Sequence, residues 1–461
     1  MDRLPLSLRI RWFGLLLSLS ALGGAPLPKA DGYRGIWYMN QPSGDQYKYK
    51  YSGGMATYPQ QHIPIAIYSR QAGKTFFCYG GVTADGRELL HMVSYYDHAT
   101  GTVPRPTILL NKKTSDAHDN PVLALDDKGY LWVFSNAHGT GRPAYIHRSR
   151  KPLSIDEFDL VEETNFSYSQ PWFVPDKGFL FLHTLYREGG RSLFCKTGDG
   201  VHWSPPELLA RVDLGHYQVS WSDGRRVGTA FNYHPAPVGL NARTNLYYQE
   251  TRDMGKRWQT AAGETVRIPV REPRNPALVY DAQSDGNLVY LKDLQFDRRG
   301  HPVIVFLTSK GYASGPASGP RTFRTARWTG ATWEIRSITG TDHNYDHGSI
   351  HLESESLWRF LAPTEPGPQP YGTGGEIVMW ISRDQGASWA KAKQLTPNSR
   401  RNHTYLRRPL NAHPDFYALW ADGDAFAPSE SGLYFTNRGG DHVWRLPPKM
   451  TSDSAKPEIA W

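Results

Sequence analysis

Two histidines, His118 and His138, bracket a stretch whose residue types can move protons. It begins His118-Asp119-Asn120-Pro121, continues through an apolar run over 122–125, and turns at Asp126-Asp127-Lys128-Gly129. A second apolar run over 130–134 leads to Ser135-Asn136-Ala137-His138-Gly139. Two short β-rich runs around a Gly-terminated turn predict a hairpin. A three-residue loop over 127–129, with Gly129 in the left-handed region, is a favoured connection. That register pairs Asp126 with Tyr130 and, counted outward, His118 with His138. Opposed residues on antiparallel strands lie about 4.5–5.5 Å apart at Cα. The two imidazoles are therefore expected to meet at the open end of one hairpin, beside loops carrying Asp119, Asn120, Asn136 and Arg142. A His held there can serve as general acid or base; the plainer alternative is a pair of hydrogen-bonding loop histidines.

Four other stretches carry polar residues of the same kind. Tyr58-Pro59-Gln60-Gln61-His62 precedes an apolar run over 65–68. His183-Thr184-Leu185-Tyr186-Arg187 is followed by Gly189-Gly190-Arg191, and a phenol beside a guanidinium can have its pKa lowered. Phe231-Asn232-Tyr233-His234 stands near Asn241-Ala242-Arg243. The last stretch contains His343, His347 and His351, whose spacing fits one face of a helix and invites a zinc reading. Asn344, Asp346 and Gly348 disfavour a helix there, and no Cys lies near, so no metal ligands are assigned.

The elements that must position these residues are strands. The chain has 461 residues, is 13% aromatic and 21% charged, and holds 44 Gly and 34 Pro, too apolar and aromatic for disorder. A short strand, a Gly turn, another strand and a loop recur along it. Turn signals stand at 126–129, 175–178, 222–224 and 297–300, most of them followed by apolar or alternating runs. A second signal, S/T-x-D-x-G-x-x-W, occurs at Thr251–Trp258 and Ser382–Trp389, with a shortened form at Thr197–Trp203. In such a turn the Asp accepts backbone N–H groups, the Gly takes a positive φ and the Trp packs beneath. These Asp-boxes mark β-propeller blades and say almost nothing of function. No amphipathic helix of more than two turns is evident. Units of roughly 50–60 residues mean a propeller or an array. The expected fold is all-β, a single seven-bladed β-propeller over 31–461, with 432–436 and 443–446 closing the ring against residues near 33–38. Trp203, Trp258 and Trp389 should occupy equivalent places in different blades.

Arg3, Arg9 and Arg11 flank an apolar run over 12–22, followed by Gly23-Gly24-Ala25. That reads as a secretory signal over 1–30, too short for a spanning helix, so an exported or periplasmic protein is expected. Cys78 and Cys195 are the only cysteines, each in an apolar run; buried free thiols are preferred to a bridge. The formal charge is +8, spread without large basic blocks. This disfavours nucleic acid and suits an acidic polysaccharide steered into a positive cleft. A monomer without membrane contact is expected.

The string Gly53-Gly54-Met55-Ala56-Thr57-Tyr58-Pro59-Gln60-Gln61-His62 leading to 74–81, together with His118-Asp119-Asn120-Pro121 and His138-Gly139, resembles secreted BNR-repeat seven-bladed propellers. That group includes ulvan lyases and enzymes that remove L-rhamnose capping D-glucuronate on arabinogalactan and gum arabic. The resemblance implies two site patterns. In the lyases, paired histidines like His118 and His138 work with a Tyr, matched by Tyr186, and an Arg, for which Arg191, Arg187 and Arg243 all qualify. In the rhamnose-removing members a Gln-His dipeptide, resembled by Gln61-His62, lies on the opposite face. Asn120, Arg142, Arg187, His234 and Arg243 are then expected to bind substrate. β-Elimination is the preferred reading, with Arg191 as carboxylate clamp and His118, His138 and Tyr186 sharing base and acid roles. Hydrolysis of an α-L-rhamnosyl-glucuronate bond at Gln61 and His62 is the second reading, and a non-catalytic sugar-binding propeller the third. No paired Asp/Glu motif supports an ordinary glycosidase. No cofactor is expected for the chemistry; a structural calcium or other metal ion is compatible with it.

Overall fold

The computed structural model describes residues 26–55, 61–187 and 190–461. The expected signal segment therefore lies almost wholly outside the described residues, as do Tyr58, Pro59, Gln60 and Gly189. Seven antiparallel sheets follow one another along the chain, at 66–111, 121–164, 167–210, 218–280, 288–341, 349–394 and 402–459. They are the seven blades, numbered here in that order. Most are four-stranded meanders, as four apolar runs joined by tight turns dictate. Blade 4 adds the short strands Thr265–Val266 and Leu278–Tyr280.

The blades are held by what lies between them. The large buried side chains are aromatic: Trp172, Trp258, Trp358 and Trp420 are at most 2% exposed. The Asp-box turns form as the sequence requires. Asp253 Oδ1 accepts the Arg257 amide at 2.9 Å, and Asp384 Oδ1 accepts that of Ser388 at 2.9 Å. Gly255 and Gly386 take φ of +87° and +86°. Trp203 and Trp389 stand between the third and fourth strands of blades 3 and 6, and Trp258 opens the fourth strand of blade 4. Cys78 and Cys195 are buried and free.

The ring closes through both chain ends. Gly35 bridges to Gly81 of blade 1 and to Ser431 of blade 7. The Tyr33 amide donates to the Pro447 carbonyl at 2.8 Å. The strand Ser454–Ala455 pairs with Val103–Pro104 in blade 1. Ordered contacts start ahead of the expected boundary at residue 31: the Leu27 amide donates to the Asp156 carbonyl at 3.0 Å, and Lys29 bridges to Thr107. The hairpin Trp37–Pro42 with Tyr49–Gly54 belongs to no blade. It brings side chains to the mouth of the channel where His118 lies. Among the described residues no helix is long and apolar enough to cross a membrane.

Candidate active site

In blade 2 the strands Pro121–Leu125 and Leu131–Ser135 pair with Pro121 opposite Ser135 and Leu125 opposite Leu131. This is the register that sets His118 against His138. The two rings stack, with centroids 4.1 Å apart and planes at 17°. His118 does not extend the strand. It sits in a single 3-10 turn, Ala117–Asp119, capped by Asp116, whose carboxylate accepts the His118 amide at 3.0 Å. Pro121 then starts the innermost strand, where a fixed φ suits an extended run.

Asp116 organises the pair. His118 Nδ1 donates to Oδ1 at 2.6 Å, and His138 Nδ1 donates to Oδ2 at 2.8 Å. A carboxylate only accepts, so both protons sit on Nδ1 and both Nε2 atoms carry lone pairs. Burial works to raise the Asp116 carboxyl, but the hydrogen bonds from His118 and His138 outweigh it and hold it below the usual carboxylate range. Arg142 locks the turn. Its Nη2 donates to Asp116 Oδ2 at 3.0 Å, and its Nε donates to Asp119 Oδ2 at 2.7 Å. Asp119 is fully buried and also faces Lys112 at 3.5 Å.

The two histidines differ in what remains open. The Tyr51 hydroxyl donates to His118 Nε2 at 2.8 Å, and Asn40 Nδ2 donates to that hydroxyl in turn. His118 is 3% exposed, and burial pushes its pKa down. The His138 side chain is 29% exposed, and its Nε2 meets no hydrogen-bonding atom of a described residue. His138 is thus the imidazole that can reach a ligand.

Blade 3 supplies the phenol and the guanidinium. Tyr186, on the strand Gly178–Arg187, pairs directly with Arg191 on Gly190–Gly198. Opposed residues share a sheet face, and Arg191 Nε donates to the Tyr186 hydroxyl at 3.2 Å. The Tyr186 ring meets His138 edge-on at 5.9 Å, and its hydroxyl lies 3.1 Å from that of Tyr168. This register sets Arg191, and not Arg187, on the face of Tyr186. Arg187 points to the other face, over Phe194 at 5.3 Å. His183 also stacks on Phe194, at 6.2 Å. Arg243 is 2% exposed and donates to the Leu240 carbonyl at 2.9 Å and the Tyr345 hydroxyl at 3.1 Å.

Several expectations are corrected. The Tyr186 pKa is raised, not lowered: burial and Tyr217 outweigh Arg191, so the phenol rests protonated. Gln61 and His62 do not lie on an opposite face. His62 Nε2 is 3.0 Å from the His118 carbonyl, and its ring is 5.3 Å from that of Tyr168. His62 is fully buried and Gln61 is 4% exposed, so the dipeptide is a floor beneath the histidine pair. Gln61 lines a small internal cavity with Tyr217, Asn232, Arg243, Tyr345 and His347. Asn120 is fully buried, packed so near Gly80 that a Cβ there would meet its Oδ1 at 2.0 Å. Arg142 is engaged by two carboxylates. His234 is fully buried against Tyr217, at 4.9 Å between ring centroids. Asn120, His234 and Arg243 are therefore buried supports of the site, while Arg142 is held by Asp116 and Asp119 and Arg187 lies on the face away from Tyr186. His343, His347 and His351 diverge: His343 meets Ser314, His347 stacks on Tyr405, and His351 stacks on Tyr417.

Sequence reasoning passed over Asp116, Tyr51, Tyr168 and Lys50. Asp116 stood two residues before His118, in reach of an Asx-type cap. Tyr51 and Lys50 come from a hairpin outside the repeat, so the repeat pattern could not place them.

A wide cleft also opens at the other mouth of the channel, among Trp221, Glu353, Arg408 and Tyr417. Two of its polar side chains are engaged. Arg408 pairs with Asp293 at 3.3 Å and covers Trp221 at 3.7 Å, and the Tyr417 hydroxyl donates to Glu353.

Fold and site together describe a seven-bladed β-propeller with a cluster of histidine, tyrosine, aspartate and arginine side chains at one mouth of its channel. Comparison with known proteins agrees. Residues 208–341 match a BNR repeat-containing family. The chain is 26% identical over 412 residues to an ulvan lyase of Nonlabens ulvanivorans, spanning 78% of this chain and 83% of that one. It is 24% identical over 415 residues to a PL25 ulvan lyase of Pseudoalteromonas sp. (strain PLSV), spanning 78% and 81%. Among solved structures, a PL25 ulvan lyase bound to -[GlcA(1-4)Rha3S]- superposes with a TM-score of 0.68 at 16% identity, covering 90% of this chain and 94% of that one. The resemblance to BNR-repeat seven-bladed propellers, the ulvan lyases among them, is borne out.

Proposed function

We propose that this protein is a polysaccharide lyase that cleaves a uronate-containing acidic polysaccharide by β-elimination. One observation carries the reading: His138, Tyr186 and Arg191 stand together, with His118 and Asp116 behind them, and each supplies something elimination needs. The similarity to ulvan lyases supports it and points to glucuronate linked to a rhamnose residue as the substrate.

The C5 proton of a uronate is weakly acidic until its carboxylate is neutralised and the enolate stabilised. Among the described residues, the Arg191 guanidinium donates through its Nε alone, to Tyr186. Its terminal nitrogens remain for the carboxylate, for which a guanidinium has the matching fork. His138 Nε2 takes the C5 proton. The resulting imidazolium is held by Asp116, which both rings already share. The C5–H electron pair forms the C4–C5 double bond, and the C4–O4 bond breaks. Tyr186, protonated at rest, gives its proton to the departing O4. Arg191 beside the phenol stabilises the phenolate that forms.

Hydrolysis at Gln61 and His62 gains no support from the geometry, since both are buried beneath the pair. The deciding assay incubates the protein with ulvan and with rhamnose-capped arabinogalactan. Elimination leaves a conjugated unsaturated uronate that absorbs in the ultraviolet. Release of free rhamnose without that absorbance would falsify the proposal.

A further inference from the structure

The Lys50 side chain lies within electrostatic reach of Arg191 and Arg243, and its surroundings differ from those of the other buried lysines among the described residues. Among the described residues, Lys50, Lys112, Lys196 and Lys292 are all under 9% exposed. Lys112 faces Asp119 at 3.5 Å, and Lys196 faces Glu162 at 3.5 Å. Lys292 donates to the Asn344 carbonyl at 2.8 Å and feels the attraction of the Asp346 carboxyl. Among the described residues, no carboxylate pairs with Lys50. Its ammonium donates to a neutral amide, Asn241 Oδ1, at 2.5 Å, and lies 5.4 Å from the Tyr312 ring centre. The charges that reach it are cations. Burial, then Arg243 and Arg191, pull its pKa down to about 7.

A buried ammonium without a counter-charge is costly, and proteins ordinarily pair it. Here the uncompensated charge stands within reach of Arg191, the proposed carboxylate clamp. Lys50 precedes Tyr51, whose hydroxyl holds His118, on the strand Tyr49–Gly54. The Tyr312 ring over it is 45% exposed, an open aromatic face of the kind on which a sugar ring stacks.

We propose that Lys50 is a further substrate-binding residue, whose ammonium takes an anionic oxygen group of the polysaccharide, with Tyr312 as the platform for the sugar that carries it. The inference rests on the lyase reading, which supplies an acidic substrate. The anionic group is either the uronate carboxylate or a sulfate ester on the neighbouring sugar. In both cases the ligand is the counter-charge the folded chain withholds.

The test uses small saccharides that cannot be cleaved, so binding is read apart from elimination. Methyl glucuronoside is compared with its neutral methyl ester, and methyl rhamnoside 3-sulfate with unsulfated methyl rhamnoside, by titration calorimetry. Lys50→Met should weaken binding of the anionic member of one pair about tenfold or more, the scale of a hydrogen bond to a charged group. It should leave the neutral members unchanged, and Lys50→Arg should restore binding. The pair that responds identifies carboxylate or sulfate. Thermal unfolding of the ligand-free protein separates binding from architecture: Lys50→Met should hold or raise Tm, because it removes an unpaired buried charge, whereas a structural lysine would lower it. Equal binding of all four saccharides by wild type and Lys50→Met overturns the inference even if elimination proceeds. Lys50-dependent anion binding in a protein that eliminates nothing would instead remove the lyase reading and leave the anion site standing.

Discussion

Asp116 does at the residue scale what neither histidine could do alone. It fixes the tautomer of both rings and leaves His138 Nε2 as the available base. Asp116→Asn keeps the shape but offers an amide that can donate as well as accept, so the tautomers are no longer set. Elimination should fall on the order of 10²–10⁴, the range general acid–base groups contribute, with the ring stack still visible in a structure of the variant. Unchanged kcat would show that the tautomer does not matter. Tyr186→Phe removes one hydroxyl from a packed ring, and a loss in the same range is expected with little change in Tm. The hairpin register made the histidine pair legible from the chain, because Gly129 fixes the turn and the strands count outward from it. The Tyr–Arg pairing was also within reach. Tyr186 and Arg191 stand opposite each other on adjacent strands, whereas Arg187 falls on the alternate face. What could not be read was the direction of the Tyr186 shift, since burial depends on what the rest of the ring packs over the phenol.

Two elements outside the blade repeat shape the site. The hairpin Trp37–Pro42 with Tyr49–Gly54 delivers Tyr51 to His118 and Lys50 to Asn241 and Tyr312. No periodic signal placed it, because it belongs to no sheet of the ring. Tyr51→Phe should lower kcat by about tenfold or less, the worth of a single hydrogen bond, while leaving KM nearly unchanged. The segment at Gln61-His62 is the second. A resemblance alone assigned it to another face; the structure sets it under the backbone of His118. His62→Ala should therefore reduce both elimination and Tm, since it leaves a cavity and frees the His118 carbonyl. Activity equal to wild type in that variant would mean the floor does not position the pair.

The blade count was legible for the whole molecule because Gly-ended turns recur between the first two strands of blades 2–5 and Asp-box turns follow the third strand of blades 3, 4 and 6. Its closure was legible only in outline: residues 33–38 and the final strand pair do meet, but the Ser454–Ala455 strand on blade 1 and the early contacts of Leu27 and Lys29 carry no sequence signal. The ring also buries histidines that must stay neutral. Burial pushes His183 and His403 down to about 3, and His216 to about 4. Their folded values lie below the ordinary value near 6.5. Above that pH neither state binds the proton, and stability is full. Below it the unfolded chain takes up the proton first, so each ring costs about 1.4 kcal/mol per pH unit until its folded value is reached. Denaturant midpoints should therefore fall steadily between about pH 6.5 and 4. A flat profile across that window would contradict the burial of these rings.

The central claim is that one mouth of the propeller performs β-elimination with His138 as base and Tyr186 as acid. It is tested most directly by following ultraviolet absorbance of the unsaturated product during incubation with ulvan, for wild type, His138→Ala and Tyr186→Phe in parallel. The account predicts a steady rise for wild type and its loss, on the order of 10²-fold or more, in both variants. A rise that survives both substitutions, or no rise for wild type on any uronate polymer, would contradict it.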